Sequence, residues 1–395
     1  MESFSHIVIG AGAIGTGTAY WLAERGADNV LVLEQFEIGH TKGASEDHSR
    51  IIRHAYHSSA YTALTTVNYE TWARIEEETG LQLVVKTGGL ELAEAGTPGA
   101  DELDNYRSAL AASGIAYSDL TVEDVRARWP QFRIPDDTVG MFQEEGGILD
   151  IRKANAAHLA RARQMGVEVR PNTRVLGLRD VSGGVEVETD RGTCRADSVV
   201  LCTASWSEEL LRPLGIDWTL TLSQEQVSYF ATPNLRDFAP DRFPMWIWHG
   251  ERLFYGFPVY GEVAVKLGRD MTGRFVTQQT RSFEPDPDET ELLRDFLRER
   301  IPGAVGPELY SRTCVYDMPV DRDFILDTLP GHPHITVGLG AGHAAKFGSL
   351  LGQILADLTL TGATKHPIDA FRADRPSLTD PDFEPVFRMT GSSAG

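Results

Sequence analysis

Cysteine is scarce in this 395-residue chain, which has only Cys194, Cys202 and Cys314. Three scattered cysteines exclude a disulfide framework and a Cys-x-x-Cys metal site. Packing accounts for Cys202 in the apolar run "SVVLCTA", and Cys194 lies in a polar, hairpin-like segment. Cys314 differs because it stands between charged and turn residues in "SRTCVYDMPVDRDFILD", whereas free cysteines usually lie among apolar residues. Its position therefore needs a chemical explanation.

Positive charge is also scarce: 37 lysines and arginines stand against 57 aspartates and glutamates, for a formal net charge of −20. A field of that sign repels nucleic-acid phosphates and anionic membrane surfaces. Nucleic acid and membrane surfaces are therefore not expected as partners. An anionic substrate would have to be held by a local basic site.

Long apolar runs and several familiar motifs are missing as well. The chain begins "MESFSHIVIG", so we expect no secretory signal, no membrane anchor and a cytoplasmic location. His48, His54 and His57 crowd one segment, but no HExxH, paired Cys-x-x-Cys or acidic calcium loop accompanies them, and no metal site is expected. The absence of GxSxG and of a P-loop lysine argues against a hydrolase and an ATPase.

A dinucleotide-binding signature is present in residues 6–34. An apolar run enters "GAGAIG", a helical segment follows to Gly26, and a second apolar run ends in an acidic residue. The glycines let the backbone approach a pyrophosphate at the helix N-terminus, and the acid takes ribose hydroxyls, which favours NAD or FAD over NADP. The expected cofactor contacts here are Gly10, Gly12, Ala13, Ile14, Gly15 and Glu34.

The rest of the chain predicts two interleaved domains in an α/β (α+β) fold. A helical stretch, the segment "RVLGL" with the expected cofactor contact Val175, and a hairpin lead back to the dinucleotide fold. Residues 222–266 alternate and are aromatic, as in an antiparallel sheet, and "HITVGLGAGHAAKFG" is again strand, glycine loop and helix. We expect a Rossmann-like domain from 1–85, 145–215 and 320–380, an antiparallel-sheet substrate domain from 86–144 and 216–319, and a tail at 381–395.

Six motifs together resemble one family. In order they are "GAGAIG", "SRIIRHAY", "FYGFP", "VKLG", "RTCVYDMPVDRDFILD" and "GLGAGHAAKFG". The chain is similar, over nearly its whole length, to monomeric sarcosine oxidase and N-methyltryptophan oxidase, flavoprotein amine oxidases of the D-amino-acid oxidase superfamily. The resemblance implies a monomer with covalent FAD that oxidises a secondary or N-methyl amino acid and reduces O2 to H2O2.

The resemblance also offers an explanation for Cys314. The matching cysteine of the family forms a thioether with the flavin 8α-methyl carbon, so Cys314 is the implied attachment point. A nucleophilic thiolate needs an accessible, electropositive setting, and Arg312 lies two residues away. A free surface thiol or a packed cysteine is the alternative.

A carboxylate clamp is implied by two basic segments. In "SRIIRHAY" the family pattern puts Arg50 beside the flavin ring and Arg53 on the substrate carboxylate, which an arginine can grip with two parallel hydrogen bonds. Lys346, at the start of the last helix, is the second implied carboxylate ligand. The alternatives are ordinary ion pairs for the arginines and a solvated lysine.

Further residues are implied to face the flavin or the substrate. Lys266, at the end of a strand, would supply the positive charge that activates O2, unless it is a surface lysine. Tyr255 and Tyr316 would line the substrate pocket, unless they only pack the sheet. The backbone amides of the loop containing Gly340, Gly342 and His343 would stabilise negative charge at the pyrimidine end of the flavin.

Three departures from sarcosine oxidase bear on the substrate. Glu46 and Asp270 stand where pocket histidines are expected, and Trp246, which shares a strand face with Trp248, replaces a smaller apolar residue. They predict that sarcosine is a poor substrate and that a bulkier amino acid with an aromatic, cyclic or cationic portion is preferred. Alternatively, Glu46 and Asp270 pair with Arg50 or Arg269 and never meet substrate.

Other functions remain open at this point. A fructosyl-amino-acid (Amadori) oxidase or a cyclic imino-acid oxidase of the pipecolate type would share the fold and the clamp. A flavin dehydrogenase that passes electrons to a partner, or a flavin-binding protein without turnover, belongs to another class. Retention of Lys266, Arg53 and Lys346 argues against the last of these.

Overall fold

The computed structural model describes residues 1–45 and 47–386 of the chain. Within this part no helix is long and apolar enough to cross a membrane. The strands are, in order, β1 (Glu2–Ile9), β2 (Val30–Leu33), β3 (Arg50–Ile52), β4 (Val84–Lys86), β5 (Gly89–Glu94), β6 (Ser118–Leu120), β7 (Thr138–Gln143), β8 (Gly147–Leu149), β9 (Glu168–Arg170), β10 (Val175–Val181), β11 (Gly184–Thr189), β12 (Gly192–Leu201), β13 (Leu220–Phe230), β14 (Met245–His249), β15 (Leu253–Phe257), β16 (Val265–Asp270), β17 (Phe275–Val276), β18 (Glu308–Pro319), β19 (Ile325–Thr328) and β20 (Ile335–Leu339).

The helices alternate with these strands near both chain ends and in the middle. They are α1 (Ala13–Glu24), α2 (Ser59–Thr79), α3 (Pro98–Ala112), α4 (Val122–Arg128), α5 (Ile151–Gln164), α6 (Ser207–Leu211), α7 (Pro287–Arg300), α8 (Gly348–Thr361) and α9 (Pro376–Thr379). The predicted strand, turn, helix and strand of residues 6–34 are confirmed as β1, α1 and β2.

The first sheet has the order β10-β11-β12-β1-β2-β9, and β20 pairs with β12. Its central strands β12, β1, β2 and β20 run parallel. Both faces are buried: Val8 packs on the side of α1 and α8, whereas Ile7 packs on the opposite side. Burial on two faces explains why these strands are nearly continuous runs of Val, Ile and Leu rather than alternating ones.

The second sheet has the order β17-β13-β16-β15-β14-β5-β7-β6, and β18 pairs with β13. It is antiparallel except between β14 and β5. A small third sheet, β3-β8-β4, carries Arg50 opposite Leu149. The predicted combination of a dinucleotide-binding sheet with an antiparallel sheet is confirmed.

Candidate functional site

A cavity of about 460 Å³ is lined by residues from all three sheets. Its volume is in the usual range for ligand sites, roughly 300–1,000 Å³. One end is formed by the turn between β1 and α1, and the other by side chains of β3, β15, β16 and β18. The two ends differ in chemistry: the first offers backbone groups, and the second offers buried charges.

The turn after β1 has the backbone that its glycines predict. Gly10 has φ +100°, and a Cβ there would lie 2.4 Å from the carbonyl oxygen of Cys202. A Cβ on Gly15 would lie 1.8 Å from the carbonyl oxygen of Gly10, so only glycine lets α1 pack this closely. Gly15 thus positions the helix and does not line the cavity, unlike Gly10, Gly12, Ala13 and Ile14.

Glu34 directly follows β2, lines the same end of the cavity and is buried. Its carboxylate accepts hydrogen bonds from the backbone amides of Ala11, at 2.9 Å, and Phe36, at 3.0 Å. Burial alone would raise the pKa of Glu34, but these amides and His40 hold it below its ordinary value. Val175, the first residue of β10, lines the same cavity.

Cys314 lies on β18 and is partly exposed to the cavity. Burial raises the pKa of its thiol to about 11, against the opposing effects of Arg50 and Lys266. These two cations come from β3 and β16, and that Arg312, which lines the same cavity, adds to the positive setting stays a prediction. The guanidinium of Arg312 lies over the ring of Tyr310, 4.8 Å from its centroid.

Lys266 is 3% exposed, so the surface-lysine alternative is wrong. It is the second residue of β16 rather than a strand end, and it lines the cavity. Its Nζ donates to the backbone oxygen of Ser49 at 2.8 Å and to Oγ of Ser49 at 3.1 Å, and lies 2.6 Å from Oδ2 of Asp47. Burial lowers the pKa of Lys266 to about 8, although Asp47 opposes the shift.

Arg53 follows β3 and is 5% exposed at the cavity. Its Nη1 donates to Glu91, and its Nη2 donates to the hydroxyl of Tyr106 at 3.3 Å. Its Nε has no hydrogen-bond partner among the residues that the structure describes. The second carboxylate oxygen of Glu91 is 2.7 Å from Nε2 of His249. The ion-pair alternative for Arg53 therefore holds together with its position at the cavity.

Lys346 lies in a short turn, Ala344–Phe347, that precedes α8, rather than in the helix itself. Its Nζ donates to the hydroxyl of Tyr56 at 2.9 Å and to the backbone oxygen of His343 at 3.1 Å. Burial, followed by repulsion from Arg53, lowers the pKa of Lys346 to about 7. The solvated-lysine alternative is wrong.

Asp270 lines the cavity but is already paired. The two oxygens of its carboxylate accept from Nη2 and Nη1 of Arg322 at 2.7 and 3.0 Å. The expected alternative partner Arg269 binds Glu289 instead, at 2.7 Å. Pairing is thus confirmed for Asp270, with a different arginine, and Glu46 lies outside the described residues.

Trp246 does not line the cavity, so its predicted place in the substrate pocket is wrong. Its ring stacks on Phe296 of α7 at 5.4 Å, on the opposite face of the second sheet. Trp248 packs on that same face, as its two-residue spacing predicts. The cavity face of β14 carries Ile247, which packs with Phe257 and Tyr255.

The glycine loop after β20 and the tyrosine Tyr316 also line the cavity, with Gly340, Gly342 and His343. Asp317 is 3% exposed, and burial raises the pKa of its carboxyl to about 6 although the backbone of Gly340 and Gly342 opposes the shift. That the amides of this loop face a cofactor stays a prediction. Among the described residues, Oδ2 of Asp317 has no hydrogen-bond partner.

Sequence reasoning missed the acidic partners of two cavity cations: Asp47 beside Lys266 and Glu91 beside Arg53. Asp47 lies three residues before Arg50, just ahead of the segment "SRIIRHAY", which was a usable signal. Glu91 has none, because it comes from a different sheet and meets Arg53 only in the fold.

The chain matches a known protein family over most of its length. Residues 5–358 match the model of the family described as FAD dependent oxidoreductase. The chain is 31% identical to a monomeric sarcosine oxidase of Bacillus sp. (strain B-0618) over 95% of this chain and 97% of that protein. It is 29% identical to an N-methyl-L-tryptophan oxidase of Escherichia coli (strain K12 / DH10B), over 93% and 98%.

A solved structure shares the fold over nearly the same length. NikD, described as an unusual amino acid oxidase essential for nikkomycin biosynthesis, superposes with a TM-score of 0.82 at 28% identity, over 94% of this chain and 98% of that one. The resemblance read from the six sequence motifs is thereby confirmed.

Proposed function

This chain belongs to the FAD-dependent oxidoreductase family, and from that premise we propose that it oxidises a secondary or N-methyl amino acid, with O2 as the electron acceptor. One observation carries the proposal: a single cavity joins the β1–α1 turn to a thiol, a buried lysine, a half-buried lysine and a buried arginine. The residues are those needed to bind a dinucleotide cofactor, a carboxylate substrate and O2.

The cavity residues fit FAD. The N-terminus of α1 opens onto the cavity after Gly12, which makes no side-chain cap, so backbone amides can meet a pyrophosphate. The lowered pKa of Glu34 keeps it a carboxylate, and it follows the glycine turn by the number of residues typical of an acid that binds ribose hydroxyls. At the far end, Cys314 would provide the thioether. Burial favours its thiol, and the neighbouring Arg50 and Lys266 act in the opposite direction, toward the thiolate.

Arg53 and Lys346 would hold the substrate carboxylate. Glu91 keeps Arg53 charged in a buried position, and the Nε of Arg53 still lacks a partner. Lys346 has two neutral hydrogen-bond acceptors, so an arriving anion would stabilise its ammonium form. A carboxylate bound between these cations fixes the rest of the substrate against the apolar wall of Ile247 and Phe257.

The reaction balances without a strong protein base if the amine binds in its neutral form. The substrate loses two electrons and two protons, and its C–N bond becomes an imine that water hydrolyses. O2 takes up two electrons and two protons and leaves as H2O2. FAD, when bound, accepts a hydride equivalent from the substrate carbon and passes the electrons on. Lys266 would place positive charge where O2 becomes negative.

The pocket favours an apolar substituent over a cationic one. Asp270 cannot attract a substrate cation strongly, because Arg322 already neutralises it. Trp246 offers no surface for an aromatic group, since it lies on the other face of the sheet. What remains is the wall of Ile51, Ile247, Leu253 and Phe257, which suits a bulkier apolar portion than the methyl group of sarcosine.

A substrate panel tests this function. Purified holoenzyme is supplied with sarcosine, N-methyltryptophan, pipecolate, a glycated amino acid and an N-methyl amino acid with an aliphatic side chain, and H2O2 is followed. We expect peroxide with the bulkier apolar substrates and a lower kcat/KM for sarcosine. Anaerobic bleaching of the flavin without peroxide in air would instead identify a dehydrogenase, and no bleaching with any amine would contradict the proposal.

The covalent link has a separate test. Wild-type protein precipitated with acid should stay yellow and exceed the mass of the bare chain by one FAD. Cys314→Ala should lose that mass, whereas Cys194→Ala, which removes a buried thiol of the first sheet that does not line the cavity, should retain it. Colour that washes out of the wild type would contradict the assignment of Cys314.

A further inference from the structure

Asp47 has an unusual backbone, and its carboxylate accepts hydrogen bonds at one oxygen and faces two cations at the other. It is 2% exposed and has φ +95°, a region in which a residue with a side chain is strained. Oδ1 accepts from the hydroxyl of Tyr229 and from the backbone amide of His48 at 2.7 Å. Oδ2 lies 2.6 Å from Nζ of Lys266 and 3.7 Å from Nη1 of Arg50. These contacts hold the strained backbone in place.

We infer that Asp47 is a positioning residue that keeps Lys266 a charged ammonium at the cavity, and so sets the pH range in which the reduced enzyme reacts with O2. The inference rests on the proposed function, in which O2 is the acceptor. Asp47 would then act in the reaction with O2 together with Lys266, and the pH at which that reaction slows would depend on Asp47.

The charge balance around Lys266 gives the direction of the effect. Burial and the nearby Arg50 both disfavour its ammonium form, and Asp47 is the main group that favours it. With Asp47 present, the pKa of Lys266 is about 8. If Asp47 is replaced by Asn, burial and Arg50 still disfavour the ammonium form of Lys266, and the main group that favours it is lost. The pKa of Lys266 must then fall.

Loss of Asp47 has a second effect, which strengthens the electric field of the protonated Lys266 at the cavity. Opposite charges 2.6 Å apart cancel much of each other's field at a distance. Once Lys266 is protonated in Asp47→Asn, its charge acts on the cavity without that cancellation. The variant should therefore combine a lower midpoint with a faster reaction at low pH, a pair of changes that a merely damaged structure does not produce.

Other titratable groups lie near Asp47 and Lys266 on each neighbouring element. Their charges must be the same in wild type and in Asp47→Asn if the pH dependence is to report on Lys266. The groups that face Asp47 and Lys266 are Arg50 on β3, Tyr229 on β13, Tyr255 on β15, and Cys314 and Tyr310 on β18, with His48 and Glu262 in the flanking loops. Asp47→Asn keeps every one of these residues, and burial still raises the pKa of Tyr229 and Tyr310 without the carboxylate, so both phenols stay neutral over the tested pH range.

The experiment separates O2 chemistry from amine chemistry. Holoenzyme is reduced by light without any amine and mixed with O2 at pH 5.5 to 9.5, and flavin reoxidation is followed. We expect the wild-type rate to fall as pH rises through about 8, and the Asp47→Asn rate to fall at least one pH unit earlier from a higher low-pH plateau. Glu289→Gln, which removes a carboxylate paired with Arg269 outside the cavity, should reproduce the wild-type curve.

A second readout does not depend on turnover. The reduction potential of the bound flavin at pH 6 should be more positive in Asp47→Asn than in wild type, because a negative charge beside Lys266 is lost. Asp47→Gly, which relieves the strained φ, should give the same shifts if Asn impairs folding. An unchanged midpoint in both variants, or an equal loss of rate at every pH, would overturn the inference.

The outcomes also distinguish this inference from the proposed substrate. A wild-type enzyme that reacts with O2 but with none of the amines overturns the substrate assignment, and the Asp47 variants are still judged on their midpoints. A reduced wild-type enzyme that does not react with O2 at any pH overturns both the oxidase function and the role of Asp47.

Discussion

Two lysines, the buried Lys266 and the half-buried Lys346, line the same cavity and differ in the groups that surround the ammonium. Lys266 lies 2.6 Å from its own carboxylate, Asp47, whereas the hydrogen-bond partners of Lys346 are the hydroxyl of Tyr56 and a backbone carbonyl. Burial lowers the pKa of both, to about 8 for Lys266 and about 7 for Lys346. The lysine with a nearby anion keeps its charge more easily.

This difference indicates two different uses of a buried ammonium. Lys266 has an internal counter-ion, so its charge can persist whether or not a substrate is bound. Lys346 gains most from an anion that arrives from outside, because its neutral acceptors compensate only part of the desolvation. A permanent charge suits O2, which brings none, and a conditional charge suits a substrate carboxylate.

The largest expected effect comes from removing the permanent charge. Lys266→Met should slow reoxidation of the reduced enzyme by O2 by about 10²–10³-fold, the usual loss when one electrostatic stabiliser of a developing charge is removed. Anaerobic reduction by the amine should change far less. Stopped-flow measurement of the two half-reactions checks this, and equal losses in both would assign Lys266 a structural role.

Removing the conditional charge should have a smaller effect, on binding instead. Lys346→Met should lower the affinity for a carboxylate substrate by roughly tenfold to hundredfold, since a hydrogen bond to a charged group contributes about 1.5–3 kcal/mol to binding. The O2 half-reaction should be nearly unchanged. Lys365→Met, at an exposed lysine, is the matched control. An unchanged KM in Lys346→Met would remove Lys346 from the clamp.

Much of the dinucleotide end could be predicted from the sequence because it is local. The glycine turn and Glu34 lie within one contiguous unit, β1–α1–β2, whose pattern dictates its backbone. The cations were found through motifs, but their acidic partners were not. Arg53 meets Glu91 from another sheet, and Lys266 meets Asp47 from a segment more than two hundred residues earlier. Such pairs exist only after the sheets have assembled.

Trp246 shows a second limit, which concerns sheet faces. Alternation along β14 correctly groups Trp246 with Trp248, because side chains two residues apart share a face. Alternation does not say which of the two faces meets the cavity, and both faces of this strand are apolar and buried. The choice depends on α7, whose Phe296 stacks on Trp246.

Binding of a carboxylate should depend on pH because Lys346 titrates near neutrality. The pKa of Lys346 is about 7 in the free site, so a simple carboxylate such as acetate should bind the protonated form. Its affinity should then fall as pH rises through 7, by up to about tenfold per pH unit, because each bound anion requires a proton on Lys346. Titration of the flavin spectrum measures this, and Lys346→Met should lack the decline. A pH-independent affinity in wild type would mean that Lys346 does not contact the anion.

The smallest predicted effect tests why Lys346 is poised near neutrality. Tyr56→Phe removes the hydroxyl that accepts from Nζ of Lys346 at 2.9 Å, and leaves the ring that packs beside it. Burial remains the main cause of the lowered pKa, so the loss of one acceptor worth about 1 kcal/mol should move the midpoint of acetate binding down by only about half a pH unit to one unit. The same substitution should leave the O2 midpoint assigned to Lys266 in place, since Tyr56 is not among its hydrogen-bond or ion-pair partners. A midpoint that moves upward would show that Tyr56 disfavours the ammonium, and movement of both midpoints would show that the two lysines are coupled rather than independent.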